Sequence, residues 1–488
     1  GDLQFVPTMG ALHAGHGTVI RSASLMGPVL VSVFVNPLQF GADEDLDRYP
    51  RSLESDLVLA ERWGAAALWA PSIEQIYPHG LESHSPRLQV PLALQEHLCG
   101  AKRPGHFDGV VAVVARLLEL VRPRQLWLGE KDWQQLVILR WLVAHLALPV
   151  TVQGVATVRE ADGLALSSRN QYLSADQRRM AVALPRALSA ALGAGFNPVP
   201  SIRRTLCDAG FDVEYVQRVD PCTLQPCGHG KAISLLAAAV CCGSTRLIDH
   251  AFLMTRQPLV AIDGPAGAGK STVTRAFAER LGLVYLDTGA MYRSVTWLVQ
   301  QRGVDPSDGV AIEPLLNALD VQLQSLPGGV QQVLVNGEDV STAIRSPEVT
   351  ASVSAVAAHR CVRQALTVQQ KAMGSKGGLV AEGRDIGTAV FPDADLKVFL
   401  TATVAERARR RALDLEQRGF AVPERAELEA QISERDRLDS CREEAPLMQA
   451  DDAIELVTDG MDIDAVIQTL LRLFRERVAE EAWPTPQR

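Results

Sequence analysis

Two stretches of this chain combine residue types and spacings that chemistry can use. The first is "GPAGAGKS": Gly264, Gly269, Lys270 and Ser271 satisfy the pattern G-x-x-x-x-G-K-[ST], with Gly267 inside it and Thr272 just after. Backbone N–H groups of such a loop, with the N-terminus of the helix behind it, make a cradle for phosphates. Lys270 would then reach the β- and γ-phosphate oxygens, and Ser271 would sit on a magnesium ion brought with the nucleotide. The second stretch is "HAGH", in which His13 and His16 stand three apart across a glycine. That pair could be a metal site on one helix face, two incidental surface imidazoles, or two imidazoles offered to phosphate. No carboxylate suited to a metal lies close in sequence, and Gly15 lets a phosphate approach the backbone, so phosphate is the preferred reading.

Each stretch is accompanied by further polar residues. After the phosphate loop come Asp287, Thr288, Tyr292 and Arg293 in "LVYLDTGAMYR", then Arg345, Arg363, Arg384 with Asp385 in "EGRDIG", and Arg435, Asp439 and Arg442 in "RDRLDSCRE". Phosphoryl transfer consists mostly of positioning and charge neutralisation, which gives several arginines an obvious use. Arg384 stands between glycines just past an apolar strand, whereas any one arginine of "ERARRRALDLEQR" is as readily a solvated surface residue. In the first half the clusters are Asn36 and Gln39, Arg103 and His106, Lys131 with Asp132 and Gln135, and Ser167, Ser168 and Arg169. Glutamines suit a neutral hydroxyl or a carboxylate-bearing substrate. Lys131, Arg169 and the two histidines suit a triphosphate.

These residues need a scaffold that brings strand ends together. From 5 to 150, apolar strands ("LQFVPT", "VLVSVFV", "AALWAP", "QLWLG", "LPVTVQGV") alternate with helical stretches of about 10–15 residues, which predicts a parallel sheet covered on both faces. Polar loops at the carboxyl edge of such a sheet meet in a crevice. A smaller α+β unit follows, with helix around 176–209, strands at "DVEYVQRVDP" and "TRLIDHAFL", and a helix "KAISLLAAAV" between them. A new parallel strand, "QPLVAI", starts after a short linker and opens a second α/β layer structure. Gly-Gly and Asn-Gly turns within 320–345 predict a small antiparallel insert. The expected division is 1–165, 166–256 and 257–488.

Length alone favours two or three domains over a single core, at 488 residues. A net charge of −9 argues against a nucleic-acid partner, and the longest apolar runs are too short to cross a bilayer. Eight scattered cysteines fit free thiols in a reducing cytoplasm better than a zinc site. No signal peptide precedes "GDLQFVPTMG"; the immediate start in a buried strand leads us to expect a stretch of leader before it.

Taken together, "AIDGPAGAGKST", "YLDTGAMYR", "VSAVAAH", "GLVAEGRDIGT", "FPDADLKVFLTA" and "RDRLDSCREEAPL" closely resemble the cytidylate kinase family, from about 259 to 478 and including the β insert. The resemblance implies a P-loop nucleoside monophosphate kinase fold and transfer of the ATP γ-phosphoryl group to CMP or dCMP, with UMP as a weak substrate. It implies that Thr288, Arg293, Ser354, Arg363, Asp385 and Asp439 hold the cytidine nucleotide. Arg384, Arg435 and Arg442 would grip phosphates, and Arg407 to Arg411 would begin a lid.

The first half, from 5 to about 252, resembles the pantothenate synthetase (pantoate–β-alanine ligase) family in the motifs quoted and in "EDLDRYPRSLESDL" and "READGLALSSRNQYL". That implies a Rossmann-like nucleotidyltransferase fold and an ATP-dependent ligation through an acyl-adenylate. By the resemblance, His13 and His16 contact the phosphates, Lys131 and Arg169 steady charge at the α-phosphorus, and Met9, Gly129, Asp132 and Ser167 shape the nucleotide site. Gln39 and Gln135 would hold pantoate, and the neighbouring Asn36 and Arg103 are expected at the substrate with them. Magnesium would ride on the triphosphate, with no protein-held metal, and a homodimer through this half is expected. Gly17 replaces the bulky residue usual after the second histidine, and His250 stands where Asn is usual; the first change is expected to loosen the helix. The joined arrangement resembles a two-enzyme fusion of cyanobacteria. Its rivals are a chain in which one half only binds nucleotide, and a P-loop half that acts on another monophosphate.

Overall fold

In the computed structural model, residues 2–41, 46–81, 88–192, 197–228, 230–325, 331–417 and 421–486 are described. The chain divides into two compact units, Gly1–Thr255 with Arg475–Pro484, and Arg256–Phe474 with Thr485–Arg488. The Gly-Gly pair of the predicted insert turn, at 328–329, lies outside the described residues, as do Glu44 and Asp45 of "EDLDRYPRSLESDL". Among the described residues no helix is long and apolar enough to cross a membrane.

In the first unit, strands β1 (Gln4–Thr8), β2 (Val29–Val33), β3 (Ala67–Trp69), β4 (Gln125–Gly129) and β5 (Thr151–Val155) form a parallel sheet in the order β3-β2-β1-β4-β5. The order reverses between β1 and β4, so the loops leaving their carboxyl ends diverge and leave a crevice. The loop after β1 carries the histidine pair into the helix Ala14–Ser24, and the turn after β4 carries Glu130–Asp132. Val6, Val19, Ile20, Val29 and Val31 pack beneath them. At Gly17 a Cβ would come within 2.5 Å of the Trp63 ring. The indole thus fills the space that a larger residue at 17 would take.

Strands β6 (Asp212–Val219), β7 (Ile233–Cys242) and β8 (Thr245–Met254) form an antiparallel sheet. Here the sequence reading needs correction: "KAISLLAAAV" is not a helix but most of β7, the central strand. Its residues are buried on both faces, Leu236, Ala238 and Val240 against Leu184, Leu188, Ile202 and Leu206. An apolar run hidden on both sides loses the alternation that marks a strand, and its alanines favour a helical reading.

The second unit holds β9 (Leu259–Asp263), β10 (Val284–Asp287), β11 (Val321–Ser325), β12 (Gln331–Val335), β13 (Glu338–Asp339), β14 (Leu379–Gly383), β15 (Leu396–Thr401) and β16 (Ile454–Val457). Its main sheet is parallel, in the order β10-β14-β9-β15-β16, with every residue of β9 buried. Strands β11, β12 and β13 make the antiparallel insert. Asn336 and Gly337, at φ 50° and 86°, supply the left-handed pair that an Asn-Gly hairpin turn requires.

Candidate active sites

The histidines of the first unit build the start of their own helix. His13 is the N-cap: its Nδ1 accepts the Gly15 N–H at 3.1 Å, and His16 Nδ1 accepts the His13 N–H at 3.2 Å. This reciprocal pair is a capping box made of two imidazoles. With each Nδ1 used as an acceptor, the proton of each neutral ring is assigned to Nε2. Burial, with Lys131 nearby, pulls the His13 pKa down to about 4. Burial and the neighbouring His13 pull His16 down to about 3. Both rings are therefore neutral N–H donors at pH 7, placed at a helix N-terminus. Such donors can bind phosphate without carrying a proton on and off.

Met9, His13, His16, Gly129, Ser167 and Ser168 line a cavity of about 270 Å³. Gln39, Arg103, Lys131, Asp132, Gln135 and Arg169 complete its wall. The last five of these also line an adjoining cavity of about 520 Å³ with Ser167 and His250. Gln39 is held by its neighbours: its backbone carbonyl faces His106 Nδ1 at 2.7 Å, and Nε2 of that ring faces Arg103 Nη1 at 2.9 Å. Arg169 lies over the Tyr49 ring, 5.8 Å from its centroid. Asn36, expected at the substrate, lines neither cavity. Its side chain is buried and spent on Tyr77 Oη (2.7 Å), the Gly109 carbonyl (3.0 Å) and the Gln39 amide (3.3 Å). It supports Gln39 from behind.

In the second unit, Gly264 and Gly269 take φ 148° and 85°. A Cβ on Gly264 would lie 2.0 Å from the Leu400 carbonyl oxygen, so the loop needs glycine there. Lys270 folds back and donates to the Gly264 and Pro265 carbonyls at 2.8 and 2.9 Å. Burial, reinforced by Arg384, lowers its pKa to about 7 against the pull of Glu382 and Asp263. A cleft of about 870 Å³ is lined by Gly267, Gly269, Lys270, Ser271 and Thr272 on one side. Asp287, Thr288, Tyr292, Arg293, Ser354 and Arg363 line another, with Arg384, Asp385, Arg435, Asp439 and Arg442 closing it.

Within that cleft several arginines already have anionic partners. Arg363 pairs with Asp385 and lies over Tyr292. Arg384 Nε donates to Asp439 at 3.1 Å, and Arg442 lies 3.8 Å from the same carboxylate. Asp287 caps the helix Thr288–Gln301 through the Ala290 N–H and holds Arg293 at 3.0 Å. The arginine run expected to begin a lid divides in two. Arg410 and Arg411 line the cleft, but Arg407 is buried against Asp436 and the Ala266 carbonyl, and so anchors the helix Val404–Gln417.

Three carboxylates escaped the sequence reading. Asp56, buried, accepts the Ala11 and Leu12 N–H groups at 3.0 and 2.8 Å and so holds the loop before His13. Glu382 accepts the Ser271 hydroxyl at 2.5 Å, with its carboxyl raised by burial and by Asp287. Asp263 accepts the Ile386 and Gly387 N–H groups at 2.8 and 2.7 Å and is lifted by burial to about 6. Each sits in a motif quoted above, at the end of an apolar strand or inside an amphipathic helix. An acid at such a position was the available signal.

Residues 1–252 match the family model of pantoate-beta-alanine ligase, and residues 260–476 that of cytidylate kinase. A protein of Synechococcus sp. (strain CC9902) named bifunctional pantoate ligase/cytidylate kinase is 88% identical over 483 residues, covering 99% of this chain and all of that one. A protein of the same name from Prochlorococcus marinus (strain MIT 9313) is 65% identical over 496 residues, covering 100% and 98%. Among solved structures, pantothenate synthetase from Thermus thermophilus is 45% identical, with a TM-score of 0.48, over 51% of this chain and 93% of its own. With two family matches end to end and relatives aligned across both, the chain belongs to the bifunctional pantoate ligase/cytidylate kinase family.

Proposed function

We propose that each unit works as an ATP-consuming enzyme built around one phosphate cradle. The first unit condenses pantoate with β-alanine. A pantoate carboxylate oxygen attacks the ATP α-phosphorus and pyrophosphate leaves; the β-alanine amine then attacks the acyl carbon, AMP leaves and the nitrogen loses a proton. The carboxylate is already a nucleophile, so orientation and charge stabilisation suffice. His13 and His16 donate Nε2–H to the phosphates, Lys131 and Arg169 take the charge developing at the α-phosphorus, and Gln39 and Gln135 hold pantoate.

The second unit transfers the γ-phosphoryl group of ATP to an oxygen of the CMP or dCMP phosphate, leaving ADP. Lys270 and the loop hold the donor. Arg293, Arg363, Asp385 and Asp439 hold the acceptor, and Arg384, Arg435 and Arg442 neutralise the charge in transit. Magnesium fits beside Ser271, where the buried Glu382 Oε2 finds no hydrogen-bond partner among the described residues. When bound, the ion would neutralise phosphate charge. The division 1–165, 166–256 and 257–488 (except that Arg475–Pro484 folds with the first unit), a cytoplasmic setting and a homodimer through the first half complete this reading.

The observation that carries it is the paired cradle: a two-imidazole capping box in one unit and a glycine loop with an inward lysine in the other. The test supplies pantoate with β-alanine, or CMP, and resolves AMP from ADP. Lys270→Ala should abolish ADP formation and leave AMP formation intact, and His16→Ala should do the reverse; loss of both products in either variant would refute independent sites.

A further inference from the structure

The segment Arg475–Pro484 belongs to the first unit although it follows the whole of the second in sequence. Residues 477–484 also lie past both family matches. The segment is a folded piece, not a loose tail. The Arg475 guanidinium donates to the Trp483 carbonyl at 2.7 Å and pairs with Glu480 at 2.8 Å, while Val478 and Ala479 are fully buried. Arg140 donates to the Arg475 carbonyl at 3.1 Å.

Its contacts converge on the turn after β4. Glu130 is 1% exposed, and each of its carboxylate oxygens accepts a backbone N–H of the segment: Oε1 from Glu480 at 2.8 Å and Oε2 from Glu481 at 2.9 Å. A buried carboxylate needs such donors to stay in place. The next residues are Lys131 and Asp132. A second set of contacts runs through the Glu481 side chain. Arg159 bridges it (2.9 Å) to Asp249 (2.7 Å), and His250 Nε2 lies 3.3 Å from its other oxygen. Burial alone would raise the Glu481 carboxyl, but His250 and Arg159 bring it down to about 2. His250 lines the 520 Å³ cavity together with Lys131 and Arg169.

We infer that Arg475–Pro484 is a positioning element of the pantoate ligase site, which through Glu130 fixes the turn that presents Lys131 to the ATP phosphates and through Glu481 fixes His250 in the wall of the cavity that Lys131 lines. The inference rests on the role proposed above for Lys131. Positioning of this kind acts on the transition state more than on substrate affinity.

The test uses the full chain. Glu481→Ala should lower kcat for pantothenate formation roughly tenfold, with the KM for β-alanine and the rate of CMP phosphorylation unchanged. A chain ended after Ala479, which also removes both N–H donors to Glu130, should lose more, on the order of 100-fold in kcat. An unchanged ligase kcat in Glu481→Ala overturns the inference, whether or not the shortened chain folds. A fall in kcat accompanied by a fall in the melting temperature of the first unit, both restored by a stabilising osmolyte, also overturns it, because the segment would then only hold the fold. Lys131→Ala separates the two layers. If that variant keeps its ligase rate, the role of Lys131 fails; if it loses the rate while Glu481→Ala keeps it, only the positioning role fails.

Discussion

Lys270 is poised by its surroundings to change its protonation when a nucleotide arrives. Without phosphates it is buried beside Arg384, and its pKa sits at about 7, well below that of a free lysine. Triphosphate oxygens would favour the charged form and lift the pKa again. Nucleotide binding to the second unit should then take up a proton at pH 7.5, and affinity should weaken as pH rises above 7, since the proton must be supplied from solution. Calorimetry in buffers of different ionisation enthalpy would measure the uptake. Lys270→Arg, which stays charged, should abolish it. Asp263, held near pH 6 by burial against two backbone N–H groups, titrates on the other side of neutrality and does not cancel this effect above pH 7.

At the scale of the element, the helix Ala14–Ser24 starts on two side chains that must stay unprotonated at Nδ1. Folding lowers both histidine pKa values from about 6.5 to about 4 and 3, so the unfolded chain binds more protons throughout that interval. Their contribution to stability is complete above pH 6.5 and is lost as pH falls towards 4 and 3. The first unit should melt lower at pH 5.0 than at pH 7.5, by about 2–4 °C for each kcal/mol lost. His16→Gln can keep the cap and cannot titrate, so it should flatten that dependence; an equal drop in wild type and variant would remove His16 from the account. Both cradles were legible in the sequence because "HAGH" and "GPAGAGKS" each carry their local geometry within a few residues. Asp56 and Glu382 were not, since their work is done on backbone and hydroxyl groups 44 and 111 positions away. Strand β7 was misread because residues on both of its faces are buried, which removes the alternation that marks a strand. Asn36 was placed at the substrate because a polar residue at a strand end can face either the cleft or the support behind it.

Across the whole molecule, two reactions that split ATP at different bonds share one polypeptide, and each is proposed to use a phosphate cradle within its own unit. The order of the sequence is not the order of the units, however. Glu130 takes its donors from residues 350 and 351 positions further on. A ribosome adding about 5–20 residues per second would need roughly 20–70 seconds to cover that distance. The half that is made first would therefore be the last to acquire its full set of contacts. In a timed translation reaction, pantothenate-forming activity should appear together with CMP phosphorylation, not ahead of it. Nascent chains stalled before Glu480 should hold an assembled sheet and a ligase slowed on the order of 100-fold.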